Sequence, residues 1–140
     1  MIDDIAVRDA LEAVLGENYG GMPVSRVGEK HHGHDPHIRT YLVREPRTEL
    51  YRGIRRAKGM FGILVHVPIN DGIDKAEEIA APIPALYLPN QTENSLLPGT
   101  SITIREASVM SPYRGSDEQE GEARWLIVPV QIDWRVDITA

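Results

Sequence analysis

The sequence predicts an α+β fold, with two helices packed on one face of a mostly antiparallel sheet of four to five strands. Three observations support this prediction: two segments with helical periodicity, two long segments with strict alternation of apolar residues, and a spacing that gives the order α-β-β-β-α-β-β. The chain has 140 residues, of which 41% are hydrophobic and 26% charged. We therefore expect residues 1–140 to form a single globular domain.

The first predicted helix covers Ile2–Leu15. Asp3 and Asp4 lie near its start, where the helix dipole favours negative charge, and Gly16 is placed to end it with a left-handed cap. Its apolar residues recur every three to four positions: Ile2, Ala6, Val7, Ala10, Leu11, Val14 and Leu15.

The second predicted helix follows a turn at Asn70-Asp71-Gly72. Pro82 and Pro84 lack an amide donor and clash with the preceding turn, so the helix is expected to kink or end near Ala81. Its apolar residues again have helical spacing: Ile73, Ala76, Ile79, Ala80 and Ile83.

Five segments have the composition of strands, and the two longest alternate most clearly. In the third strand, odd-numbered residues from Ala57 to Val67 are predicted to face the core, and Gly59 and Gly62 indicate a bulge or a close backbone approach. In the last strand, Pro129 favours an edge position or a bulge. The predicted strands, of which the final two form a hairpin, are Met22–Val27, Ile38–Arg44, Ala57–Pro68, Thr100–Met110 and Ala123–Val136.

Composition and charge argue against several classes of partner. The net charge of −6 and the pI near 5.3 disfavour binding to nucleic acid, which depends on clustered Lys and Arg. The chain has no cysteine, so it has no disulfide framework and no Cys-based zinc site. The acidic amino terminus is unlike a secretory signal, and proline interrupts the longest uncharged runs, so a soluble protein without a membrane partner is expected.

Four of the five histidines fall between residues 31 and 37. Imidazole binds zinc, nickel and copper, so His31, His32, His34 and His37 form an alternative metal site, either in a small metal-binding module or in a metal-dependent hydrolase. The segment resembles the H-x-H-x-D-H signature of metallo-β-lactamase-like hydrolases, but Pro36 stands where the aspartate ligand belongs. A solvated polar loop is the preferred interpretation.

Other catalytic signatures are missing from the sequence. It contains no dinucleotide-binding glycine motif, no phosphate-binding loop and no nucleophile elbow. His66 lies within a predicted strand, where a hydrogen-bonded structural role is expected, and adjacent acids such as Glu77 and Glu78 point apart on a helix. The sequence therefore predicts neither an enzyme nor a bound cofactor.

Two charged clusters could form a contact between subunits. The basic cluster enters the third strand, and the acidic cluster precedes the last one; ordinary solvated charge is the alternative. If the two clusters meet across a repeated contact, they would set orientation more than affinity. A head-to-tail contact of this kind can close into a ring. The candidate interface residues are Arg52, Arg55, Arg56 and Lys58 with Asp117, Glu118, Glu120 and Glu122.

The order and spacing of these elements also resemble a known family over nearly the whole chain. The segments that carry the resemblance are Ile5–Glu12, His37–Leu42, Tyr51–Gly53, Gly62–Pro68 with Gly72, Ala76 and Ile79 after it, and Trp125–Ile132. Together they resemble the tail terminator, or tail-completion, proteins of long-tailed bacteriophages and prophages. Pro82, Pro84 and the histidine-rich segment depart from the family pattern.

The resemblance implies a structural protein of the virion tail, made in the cytoplasm of the bacterial host. Such proteins form a ring, usually of six subunits, that caps the tail tube and meets the connector on the head side. The partners expected from the resemblance are further copies of the chain, the tail-tube protein and the head-tail connector protein. A head-tail joining protein of the same virion is the neighbouring alternative.

Overall fold

A computed structural model describes residues 4–29, 35–45, 48–51, 54–90, 93–115 and 124–139. In these ranges eight strands form one sheet, with helices on one of its faces. The strand order is β1-β2-β4-β8-β6-β5, and β3 and β7 pair with β4 and β8 outside that path. All pairings except the parallel β1–β2 pair are antiparallel, which confirms the predicted α+β class.

The centre of the sheet is a long ribbon of two strands, β4 (Ile54–Pro68) and β8 (Trp125–Thr139). They pair along their whole length, from Ile54 opposite Thr139 to Pro68 opposite Trp125. Both segments alternate apolar and polar residues, so the pairing buries one face and leaves the other for polar side chains. The remaining six strands are arranged on the two sides of this ribbon.

Six shorter strands flank the ribbon. On the β4 side lie β2 (His37–Arg44), β1 (Val24–Arg26) and β3 (Thr48–Tyr51). On the β8 side lie β6 (Thr103–Val109), β5 (Ser95–Leu96) and β7 (Tyr113–Gly115). The sequence did not predict β3, β5 or β7, because strands of two to four residues form only where a neighbour supplies their hydrogen bonds.

The first helix, α1, covers Asp4–Asn18. It buries Val7, Leu11 and Leu15, as its periodicity predicts. The prediction that Gly16 ends the helix was wrong: the chain continues helically to Asn18, whose side-chain amide donates to the Val14 carbonyl. A single glycine costs a helix about 1 kcal/mol, less than the apolar contacts around it provide.

The second helical region is split, as the prolines predict. A 3-10 turn (Ile69–Asp71) leads into α2 (Ile73–Ala80), which ends before Pro82, and α3 (Ile83–Tyr87) follows. Pro84 lies in the first turn of α3, where a missing amide donor costs no internal hydrogen bond. The buried Tyr87 hydroxyl donates to the Leu11 carbonyl at 2.6 Å and connects α3 to α1.

The core lies between the helices and the inner face of the ribbon. Its ribbon residues are those that the alternation predicts: Ala57, Phe61, Ile63, Val65 and Val67 from β4, and Val128, Val130, Ile132, Trp134 and Val136 from β8. Within the described part of the chain, no helix is both long enough and apolar enough to span a membrane.

Pro129 does not mark an edge strand, because β8 lies between β4 and β6. The Pro129 carbonyl accepts from the Met110 amide at 2.8 Å, so its backbone polar groups point away from β4. Pro129 therefore lacks its amide donor on the side where the partner of β8 changes from β6 to β7, and the pairing of β4 with β8 loses no hydrogen bond.

Candidate functional site

The sheet face opposite the helices carries most of the side chains that could interact with a partner. Even-numbered residues of β4 and odd-numbered residues of β8 point to this face, which we call the open face. Half-buried apolar residues such as Met60 and Leu64 alternate there with charged residues such as Arg135 and Asp137. A mixed surface of this kind is typical of protein contacts.

Three aromatic rings pack together at one end of the open face. The imidazoles of His37 and His66 stack with centroids 4.6 Å apart, and the Trp125 indole meets the His37 ring edge-on at 4.7 Å. All three side chains are buried. Strand pairing brings the two histidines together, since His37 lies opposite His66 in the β2–β4 register.

Backbone contacts hold both imidazoles in place. The Nδ1 atom of His37 lies 3.2 Å from the Asp35 carbonyl oxygen, and that of His66 lies 3.0 Å from the Leu64 carbonyl oxygen. A carbonyl can only accept, so both Nδ1 atoms are assigned the proton. The structural role predicted for His66 is consistent with this geometry.

The alternative metal site is only partly within the described structure. His31, His32 and His34 lie outside the described residues. The prediction that His37 lies in a solvated loop was wrong, because His37 is the first residue of β2 and is fully buried. Among the residues that the structure describes, no cluster of three or more potential ligands could hold a metal ion.

The basic cluster lies where β4 enters the sheet. The Arg56 guanidinium contacts the Asp137 carboxylate at 2.9 Å, and the Lys58 ammonium contacts Glu45 at 3.3 Å. The hydrogen bond from Arg56 lowers the pKa of Asp137. Arg55 lies directly before Arg56 on β4, whereas Arg52 and the acidic residues Asp117, Glu118, Glu120 and Glu122 lie outside the described ranges.

A shallow pocket of about 160 Å³ lies on the open face beside this cluster. Lys58, Arg105 and Asp133 contribute charge to its lining, and Val43 and Met60 contribute apolar surface. Burial raises the pKa of the Asp133 carboxyl, and repulsion and a hydrogen bond from Glu106 raise it further. This acid pair cannot be predicted from the sequence, because a bulge in β6 between Ile104 and Glu106 places Glu106 opposite Asp133.

Gly59 and Gly62 allow a neighbouring group to lie close to the backbone of β4, as the sequence predicted. A Cβ atom on Gly59 would lie 2.0 Å from the Val43 carbonyl oxygen, and one on Gly62 would lie 2.1 Å from the Tyr41 ring. The Tyr41 ring therefore covers Gly62 and shields the sheet backbone at this point.

Several apolar side chains remain exposed at the edges of the sheet. Val43 on β2 is 46% exposed, and Val109, Met110 and Tyr113 along β6 and β7 are 41–47% exposed. Isolated exposed apolar residues are ordinary, but these lie beside backbone that no described strand pairs. Both sides of the sheet therefore present surface suited to another protein chain.

By architecture, the molecule is an α+β protein with one covered sheet face, one open face and partly open sheet edges. The sequence profile of the family described as phage tail terminator protein matches residues 6–134, from α1 to the core of β8. The chain belongs to the phage tail terminator family.

Comparison with solved structures supports the fold. One solved structure is similar at 22% sequence identity and a TM-score of 0.67, and the match covers 97% of this chain and 96% of that chain. No curated protein matches the sequence.

Proposed function

We propose that this protein caps the tail tube of a long-tailed phage or prophage as a ring of identical subunits and joins the tube to the connector on the head side. The observation that carries the proposal is the family match over residues 6–134, which includes both helical regions and nearly all of the sheet. The role is structural, and the site of action is the virion tail.

The structure supports a function based on subunit contacts. The open face combines half-buried apolar residues with exposed ion pairs, and apolar side chains are exposed at both sides of the sheet. Packing of such surfaces against another copy of the chain would bury the apolar area and satisfy the open backbone.

The charged clusters are proposed to orient the subunits. Arg52, Arg55, Arg56 and Lys58 of one subunit would face the acidic segment of the next, which contains Asp117, Glu118, Glu120 and Glu122. In the single chain Arg56 and Lys58 already have carboxylate partners, so the contact would share these cations between two subunits. Such pairs set register and association rate more than affinity.

The proposal is tested by measuring mass in solution by light scattering, with and without purified tail-tube protein, across protein concentration and salt. A ring formed alone or with the tube protein is expected. A variant with Arg55→Glu and Arg56→Glu should form less ring, whereas Lys75→Glu, a single charge reversal on α2 away from the cluster, serves as a control and should leave the ring unchanged. A chain that stays monomeric under all of these conditions would contradict the proposal.

A further inference from the structure

One end of the sheet narrows to three strands. The last pair between β2 and β4 is Arg44 with Gly59, and β6 begins its pairing with β8 at Thr103 opposite Arg135. Beyond these positions β4 and β8 continue together to Ile54 and Thr139, and β3 pairs with β4 on the other side. We call this extension, formed by β3 with residues 54–58 and 135–139, the arm.

The arm has open backbone on both sides. No described strand pairs with the outer side of β3, and none pairs with β8 beyond Arg135. Each side thus offers a segment of about four residues, in which every second residue points its amide and carbonyl groups outward to another strand, and β3 has a bulge between Glu49 and Tyr51. In the wider part of the sheet, the very short β1 and β5 cover only part of the outer strands β2 and β6, and short edge strands are a common way of protecting an edge.

We propose that the arms of neighbouring subunits join edge to edge, with β3 of one copy adding to β8 of the next. This inference rests on the proposed ring function and names the contact that builds the ring. A second copy of the chain is the occupant that fits, because the two open edges have the same length and lie on opposite sides of the same three strands. Each subunit would therefore pair its β3 edge with one neighbour and its β8 edge with the other neighbour.

The strand directions fix the type of pairing. Both β3 and β8 run antiparallel to β4, so they run parallel to one another. If the ring axis runs along the arms, rotation about it leaves the strand directions unchanged from one subunit to the next. The new contact between β8 of one subunit and β3 of the next is therefore parallel. A head-to-tail contact of this kind repeats around the ring until no open edge remains.

Engineered cysteines can test the contact, because the natural chain has none. Thr48 and Asp137 both lie opposite Arg56, on either side of β4. Within one chain their Cα atoms are two strand spacings apart, about 9.6 Å. A disulfide needs Cα atoms closer than about 7 Å, so a cross-link in this pair must join two chains.

The test uses Thr48→Cys combined with Asp137→Cys, and separately with Thr139→Cys to allow for a shifted register. Oxidation of the oligomer, formed alone or with tail-tube protein, should convert monomer into a ladder of cross-linked species ending at the ring size. The control combines Thr48→Cys with Leu96→Cys, which is exposed on β5 at a distant edge and should remain uncross-linked.

Hydrogen exchange tests the same contact without mutation. Assembly should slow the exchange of the outward-facing amides in residues 48–51 and 136–139 by on the order of tenfold or more. Slower exchange at 106–109 with no change in the arm would overturn the proposal.

The outcomes separate this inference from the proposed function. A ladder supports both. A ring seen by light scattering without cross-links and without protection of the arm overturns the arm contact and leaves the ring intact. A monomer without cross-links under every condition overturns both.

Discussion

The two faces of the central ribbon have the same backbone and opposite chemistry. Towards the helices, β4 and β8 present buried apolar side chains almost without interruption. Towards the open face, the same strands present ion pairs, half-buried apolar residues and a buried aromatic cluster at one end only. The helix-facing side determines whether the chain folds, and the open side is free to carry interactions with other molecules.

The largest effect is expected from Phe61→Ala on the covered face. Its ring is fully buried and lies near that of Tyr87, so truncation should lower the free energy of unfolding by about 3–5 kcal/mol. The matched control is Met60→Ala, one residue away on the open face and half-buried, which should cost less than about 2 kcal/mol. Urea unfolding measures both, and equal losses would contradict the contrast between the faces.

A smaller effect is expected at the two close approaches in β4. Gly59→Ala forces a Cβ atom against the Val43 carbonyl, which is fixed backbone, and should cost about 1–3 kcal/mol. Gly62→Ala meets only the Tyr41 ring, which can rotate outward, so its cost should be lower and Tyr41→Ala should relieve it. Thermal unfolding of these variants provides the test. A smaller loss of stability for Gly59→Ala than for Gly62→Ala would contradict this expectation and would mean that the backbone at Val43 shifts more easily than the Tyr41 ring.

A still smaller effect, with a distinctive pH dependence, is expected at Asp133 on the open face. Its pKa is raised from an ordinary value of 3.8, so its contribution to stability is full below that value and is lost as the pH rises through its folded pKa. Asp133→Asn should therefore stabilise the protein at neutral pH by less than about 1 kcal/mol, and the gain should vanish in acid. Urea midpoints at several pH values give the measurement; a constant gain would point to a cause other than titration.

The smallest effect is expected at Asp137, four positions along the same strand, and its sign is opposite. The hydrogen bond from Arg56 lowers the pKa of Asp137, so its contribution is present above 3.8 and is lost as the pH falls through its folded pKa. Asp137→Asn should lower the urea midpoint slightly at neutral pH and have no effect in strong acid. The loss should also shrink in high salt, because the pair is exposed.

Much of the fold could be predicted because the longest elements carry the strongest periodicity. The alternation of apolar residues predicted both that β4 and β8 are strands and which of their faces is buried, and the prolines predicted the break between α2 and α3. Strand ends were less accurate: the predicted last strand, Ala123–Val136, is observed as Trp125–Thr139. The ends depend on which neighbour continues the ladder, which local sequence does not specify.

The surface features could not be predicted as well, because they depend on register. The histidine run attracts attention in the sequence, yet the contact that forms is between His37 and His66, which meet only through the β2–β4 pairing. Asp137 is 81 residues from its partner Arg56 and lies on β8, whereas Glu45 directly follows β2 and reaches Lys58 through the β2–β4 pairing. The three-stranded arm likewise follows from where β2 and β6 stop.

The full-length pairing of β4 with β8 has a consequence for synthesis on the ribosome. β4 lies near the middle of the chain, and β8 is the last described strand, so the central ribbon joins residues as far apart as Ile54 and Thr139. Contacts between distant residues form slowly because a long loop must close first. The nascent chain therefore carries the apolar face and one open edge of β4 without their partner until β8 emerges, which makes this interval the point at which chaperones have most to protect.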